Sequence, residues 1–145
     1  MSSTNVLSDY NLSRSTASTV ASKTYSDLSN SLIHPATGDV VIARDLEAIR
    51  NSIKNIVLTP LRTRPFFPEF GTNVDNLLFE NFNFITAVAL EEEILTGVSR
   101  FEPRISNISV SANPNEELNT YNISITFTPY FGGVYNLQFT LNRIR

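Results

Sequence analysis

From Ile108 onwards the apolar residues of this chain recur in steps of two. Ile108, Val110 and Ala112 alternate with Ser109 and Ser111. Tyr121, Ile123, Ile125 and Phe127 alternate with Asn122, Ser124 and Thr126, and Tyr135, Leu137, Phe139 and Leu141 alternate with Asn136, Gln138 and Thr140. Successive side chains of a strand point to opposite faces, so the pattern predicts three half-buried strands. Asn113-Pro114-Asn115-Glu116-Glu117 and Pro129-Tyr130-Phe131-Gly132-Gly133 read as the connections between them. Connections this short favour antiparallel hairpins, with one face on a core and one face outward. The outward faces carry Ser, Thr, Asn and Gln and almost no charge.

Upstream the period is helical. Leu46, Ile49, Ile53 and Ile56 fall on one face of a helix from Asp45 to Leu58, which Thr59-Pro60 stops. Asp45 lies in the first turn, where the helix dipole favours an anion. Asn73 can cap a short helix through Phe79 with Leu77 and Leu78 inward. Asn83 or Thr86 can start a longer one ending near Ser99, with Ala87, Leu90, Ile94, Val98 and Phe101 as its buried stripe. Glu91, Glu92 and Glu93 are consecutive and cannot share a face, so at least one can turn toward a partner or a cation; a solvated helix surface is the usual explanation for such a run. Val40-Val41-Ile42 reads as a short strand or an extended lead-in. Together these give an α+β fold, helices packed on a small antiparallel sheet of three C-terminal strands.

A length of 145 residues argues for one domain, read here as residues 25–145. Residues 1–24 are rich in Ser, Thr and Asn. Such an arm buries too little to offset its ordering entropy alone, and it either stays disordered or orders against a neighbour.

Three stretches are candidates for contact with other proteins. In Arg62–Gly71, Pro65 and Pro68 exclude a regular element, and Phe66, Phe67 and Phe70 need a dry environment. Arg64, Pro65, Phe66, Phe67 and Phe70 either pin this loop to the core or face a partner. Glu102-Pro103-Arg104 sets a carboxylate and a guanidinium at a fixed angle between the long helix and the first C-terminal strand. The pair either clamps that turn internally or orients a partner. The third strand, Val134, Tyr135, Asn136, Leu137, Gln138, Phe139, Thr140 and Leu141, has no charge, bulge or proline to protect an edge. It can accept a foreign strand, unless another part of the chain covers it.

Chemistry is sparsely represented. The absence of Cys excludes disulfides, thiol nucleophiles and thiolate metal sites. His34 is the single histidine and lies in a loop. No nucleophile elbow, Gly-rich phosphate loop or Asp-rich calcium loop occurs. Glu69, Glu80, Glu91 to Glu93 and Glu102 could supply the two carboxylates of a glycosidase, but their spacing selects no pair. No catalytic residue, metal or cofactor is therefore assigned, and the chain is expected not to be an enzyme. A net charge of −3 with two lysines argues against nucleic acid as a partner. No apolar run approaches the ~20 residues that span a bilayer, and the first residues lack the pattern of a signal peptide.

Leu46 to Ile56, Arg64-Pro65-Phe66-Phe67-Pro68-Glu69-Phe70-Gly71, Leu77-Leu78-Phe79-Glu80-Asn81 and Phe101-Glu102-Pro103-Arg104-Ile105 together resemble the sheath-initiator family, wedge subunits of T-even-type contractile-tail baseplates. The resemblance runs from Tyr25 to the C-terminus and rests on the order and spacing of motifs that are weak singly. It implies a domain similar to the inner domain of tail sheath proteins. It implies that Glu102, Pro103 and Arg104 dock on a helical core bundle of other baseplate wedge proteins. It also implies that the C-terminal sheet receives arms from the first ring of the tail sheath protein, in a virion tail assembled in the host cytoplasm. Tube or hub proteins are further candidate partners. The family has carried a lysozyme label, and a peptidoglycan-degrading tail lysozyme is the alternative reading. Thr63 stands where many relatives place glycine-glutamate before the arginine, so a salt bridge from that glutamate is not expected.

Overall fold

Residues 25–28 and 42–143 are described by the structure, a computed structural model. The Ser/Thr-rich arm and His34 lie outside the described residues. A two-stranded antiparallel ribbon comes first: β1 (Ser26–Leu28) pairs with β2 (Ile42–Arg44), Asp27 opposite Ala43. Three helices follow, α1 (Leu46–Leu58), α2 (Val74–Phe79) and α3 (Phe84–Phe101). The chain ends in an antiparallel sheet of β3 (Ile105–Asn115), β4 (Thr120–Pro129) and β5 (Tyr135–Asn142), with β4 in the centre. Helices on one face of a three-stranded antiparallel sheet are what the switch of period predicts.

Every residue of the predicted helical stripes that faces inward is used. Ile49, Ile53 and Ile56 of α1 and Ala87, Leu90, Ile94 and Val98 of α3 meet Tyr121, Ile123, Ile125 and Phe127 of β4 in one core. Burying a side chain of this size contributes about 1.5–3 kcal/mol relative to exposure. The centre of that core is β4, in which buried residues alternate with more exposed ones from Tyr121 to Pro129. β5 is less covered: Tyr135, Leu137 and Phe139 are only half-buried, and Leu141 alone is fully inside.

Several boundaries differ from expectation for physical reasons. Asn113, Pro114 and Asn115 belong to β3 rather than to a connection, paired with Asn122, Tyr121 and Thr120. A proline fits there because β3 is an edge strand. Val134 lies before β5, exposed in the turn after Gly132 and Gly133, so the third strand starts one residue later than predicted. Asp45 is not serving the α1 dipole. Its carboxylate accepts from the Tyr25 N–H at 3.0 Å while its own N–H donates to the Tyr25 carbonyl at 2.7 Å. That reciprocal pair holds Asp45 at φ 45, an uncommon conformation for a residue with a side chain. Asn83 does cap α3, accepting from the Thr86 N–H at 2.7 Å.

The loop between α1 and α2 is closed at its neck by backbone. Leu61 N–H donates to the Thr72 carbonyl and Thr72 N–H to the Thr59 carbonyl, and the Thr72 hydroxyl donates to the Val57 carbonyl. Gly71 sits in this neck at φ 110, where an added Cβ would collide with the Thr59 carbonyl oxygen. Both the conformation and the close approach require glycine. Gly71→Ala is therefore expected to destabilise the domain by about 2–4 kcal/mol, read as a lower urea midpoint; an unchanged midpoint would show that the neck does not hold the loop.

Candidate functional site

The buried end of α3 carries both irregular stretches singled out in the sequence. Phe101, its last residue, stacks against Phe70 at 5.1 Å and takes Phe67 edge-on at 5.8 Å between ring centroids. Arg64 lies over the outer face of Phe70, its guanidinium carbon 3.8 Å from the ring centroid. The proline-aromatic loop is thus pinned to the domain by Phe67 and Phe70. Phe66 is not pinned: it is fully exposed at 101%. Phe70 is the half-buried ring of the three, Phe67 packs on Phe101 while staying 48% exposed, and Phe66 points outward.

One residue further on is Glu102. Its side chain is 1% exposed, and the Arg104 side chain 22%. Arg104 closes on it as a fork, Nε to Oε1 at 2.5 Å and Nη2 to Oε2 at 2.6 Å, with the Arg104 N–H adding a longer contact to Oε1. Burial disfavours the charged carboxylate. Hydrogen bonds from Arg104 and from Ser52 of α1 outweigh that penalty and hold the Glu102 pKa below its ordinary value. Proline at 103 makes the short reach possible by fixing the turn between the two charges. The two charges of this motif therefore satisfy each other, and what the corner offers outward is exposed Pro103 and the rim of Arg104.

Other segments converge on the same corner. Arg104 lies 5.4 Å from the Tyr25 ring centroid, and Asp27 adds to the field that favours its charge. The Arg104 carbonyl accepts from Tyr130 N–H in the β4–β5 turn at 3.1 Å. Arg50 of α1 donates to the Asn136 carbonyl near the start of β5 at 3.4 Å. The proline-aromatic loop, the Glu102-Pro103-Arg104 turn and the beginning of β5 thus form one end of the domain.

The two sheet edges are not equivalent. Beyond the β4–β5 ladder, Arg143 N–H donates to the Asn119 carbonyl. Hydrogen-bonded pairs alternate along an antiparallel ladder. Given the register Thr120 to Asn142, the odd-numbered residues of β5 bond to β4, and Asn136, Gln138, Thr140 and Asn142 turn their backbone groups outward. By the same phase, Ile108, Val110, Ala112 and Pro114 face outward on β3. That edge is blunted. Pro114 has no N–H, the Ala112 N–H is taken by the Glu91 carboxylate at 2.7 Å, and the register slips between Ile105 and Asn107. On β5, the Arg50 contact to Asn136 is the comparable cover among the described residues.

Glu91 is one of three glutamates expected to be solvated. Glu93 is another that is not, since it accepts from the Asn73 N–H at 2.7 Å and ties α2 to α3. Only Glu92 is fully outward. These acceptor roles were missed because the N–H groups they satisfy are created by the fold; consecutive glutamates at three angles around a helix were the available signal. The concavity beside the loop neck, lined by Arg62, Asp75, Phe79 and Glu93, holds two carboxylates, of which Glu93 is committed to that backbone bond.

Lowering of the Glu102 pKa has a sign. The unfolded chain takes up the proton at higher pH than the folded one, so the clamp contributes stability above the ordinary carboxylate range and loses it as pH falls from that range through the lower pKa of the folded state. Acid denaturation should therefore begin earlier in wild type than the Glu102→Gln variant's slope would give; equal pH slopes between pH ~5 and ~3 would show that Glu102 is not held ionised.

Comparison with known proteins gives consistent findings. The profile of the family described as "Baseplate wedge protein gp25" matches residues 43–130. Baseplate wedge protein gp25 of Enterobacteria phage T4 is 35% identical over 106 residues, covering 73% of this chain and 80% of the phage protein. A crystal structure from Geobacter sulfurreducens, of a candidate tail lysozyme, superposes with a TM-score of 0.63 at 28% identity, covering 68% of this chain and 91% of that one. A chain of the type VI secretion system baseplate complex shares the fold, with a TM-score of 0.58 at 14% identity, covering 68% and 93%.

Proposed function

The chain belongs to the baseplate wedge protein gp25 family, and from that membership and the geometry above we propose that it docks by one end into a contractile-tail baseplate and seeds the sheath with the open edge of its sheet. The coarse role, a structural baseplate protein of a phage virion with other baseplate proteins as partners, follows from the family. The finer mechanism rests on a single observation, the asymmetry of the two edges. One edge is closed by Pro114, Glu91 and a register slip, and the other presents the outward backbone groups of Asn136, Gln138, Thr140 and Asn142. A chain laid along β5 would extend the sheet by hydrogen bonds alone, with register set by the half-buried Tyr135, Leu137 and Phe139.

Docking uses the corner as a rigid shape. Because Arg104 is spent on Glu102, the contact with helices of other wedge proteins falls to Pro103, the Arg104 rim and exposed Phe66. Removing the guanidinium would leave a buried carboxylate without its cation, a loss of about 3 kcal/mol or more. Arg104→Ala thus disturbs the fold as well as docking.

Gln138→Pro separates strand addition from folding. Proline there removes an outward N–H on an edge strand and no ladder bond to β4. The variant should fold and enter baseplates but fail to nucleate sheath, while Gln138→Ala, which keeps the N–H, nucleates normally. Normal sheath on Gln138→Pro baseplates would reject the β5 mechanism.

The description of the Geobacter relative supports a second reading, cleavage of peptidoglycan. A glycosidase needs one carboxyl with a raised pKa facing another carboxylate. Glu102, the most deeply buried acid among the described residues, is shifted the opposite way. Purified chain is expected to leave a cell-wall suspension turbid; clearing that disappears in a Glu→Gln variant would establish the enzymatic reading instead.

A further inference from the structure

The outward side of α3 is not the solvated face that its three glutamates suggest. Its buried side is Thr86, Ala87, Leu90, Ile94, Gly97 and Val98. The opposite side presents Phe84, Ile85 and Val88 in its first turns and Leu95 two turns beyond Val88, exposed by 73, 77, 43 and 38%, with the exposed Glu92 on the same face between Val88 and Leu95. Phe79, at the end of α2, is exposed as well. A helix surface facing water ordinarily carries charge there.

The charge that this segment itself carries has one sign, and a cation placed beside it is Arg62, which lines the concavity of Asp75, Phe79 and Glu93. Between residues 71 and 99 the chain has Asp75, Glu80, Glu91, Glu92 and Glu93 and no lysine or arginine. Glu91 and Glu93 are held by backbone N–H groups, which neutralise no charge. Glu80 and Glu92 are exposed. The cations of the helical half lie elsewhere, on α1, the proline-aromatic loop and the Arg100–Arg104 end. Arg100 is itself paired with Glu69.

We propose that this face of α3 is a second docking surface, distinct from the corner and from β5, and that it takes a basic amphipathic helix of another protein. Charge complementarity selects the occupant. A second copy of this chain would bring the same carboxylates face to face, which opposes self-association. A neutral apolar segment would leave Glu80 and Glu92 beside a desolvated surface without counter-charge. The apolar residues span Phe84 to Leu95, a rise of about 16 Å at 1.5 Å per residue. That is three turns, the length over which a partner helix can lay an apolar stripe and place lysines or arginines on the acidic flanks.

A labelled synthetic 18-residue peptide, leucine along one helical face and lysine on the other, is the probe, titrated by fluorescence anisotropy against the full chain. A peptide with glutamate in place of lysine is the control. The lysine peptide should bind at least about tenfold tighter than the control. Ile85→Ser with Val88→Ser should weaken it by about tenfold or more, since these residues would be the anchors. Glu80→Lys with Glu92→Lys should reverse the preference between the peptides. All four positions are exposed, and circular dichroism should report an unchanged fold. Three results would overturn the proposal: lysine-peptide binding that survives both double variants; binding that appears only after residues 1–24 are deleted, which would make the chain's own arm the occupant; and sedimentation as a dimer that Ile85→Ser with Val88→Ser dissolves, which would make it a second copy.

Discussion

A carboxylate placed inside a protein must bring its own cation, and the corner of this domain is built around that requirement. Glu102 sits where α3 ends, against Ser52 of α1, and Arg104 reaches it across a proline that fixes the distance. Each neighbour of the pair is held partly through it: α1 through Ser52, the β4–β5 turn through the Arg104 carbonyl, the first ribbon through Tyr25. A buried ion pair is a poor source of net stability, because desolvation offsets most of the attraction. Its geometry is the better explanation for its presence. Two bonds from a planar fork admit one relative orientation of helix end and strand start. That orientation decides where the sheet points relative to the aromatic loop.

The same logic of occupied groups explains why the two edges of so small a sheet differ. A three-stranded sheet has two edges and a single central strand. Helix α3 packs along β3 and spends a glutamate on one of its outward N–H groups, while Pro114 removes another. Such measures suppress pairing with foreign chains. Their presence on one side gives meaning to their scarcity on the other. The apolar face of β5 is also less covered than that of β4, so an added strand there would find both backbone groups and half-buried side chains to complete.

The architecture was legible in the sequence because periodicity reports which face is buried, and the faces here are clean: β4 alternates from Tyr121 onwards, and the α3 stripe of Leu90, Ile94 and Val98 is fully inside. The four motifs of the resemblance located the corner residues as well. What the sequence does not carry is pairing. Nothing in Glu91-Glu92-Glu93 says which carboxylate meets a backbone N–H, because those N–H groups acquire their directions only when β3 and the α2 start are in place. Pro114 read as a connection because proline opposes a central strand; the edge position that accommodates it depends on strand order. Whether Glu102 and Arg104 faced each other or a partner was likewise open, since proximity in sequence gives distance and not burial.

The exposed apolar face of α3 follows from the same separation of pattern and environment. Ala87, Leu90, Ile94 and Val98 account for the packing that the domain needs, so Phe84, Ile85, Val88 and Leu95 are surplus to its core. Exposed aromatic and β-branched residues lower solubility and lose rotamer freedom in a helix, and serine, lysine or glutamine would fit the same positions at less cost. Single exposed apolar residues are ordinary on any protein surface. Four on one face, bounded by carboxylates with no cation between residues 71 and 99, are not what independent surface positions give. A charged fraction of 17% leaves little charge to cover the surface of a chain this size, in keeping with a structural baseplate protein. The corner, the β5 edge and the α3 face lie on different elements, so the contacts proposed for them would not exclude one another.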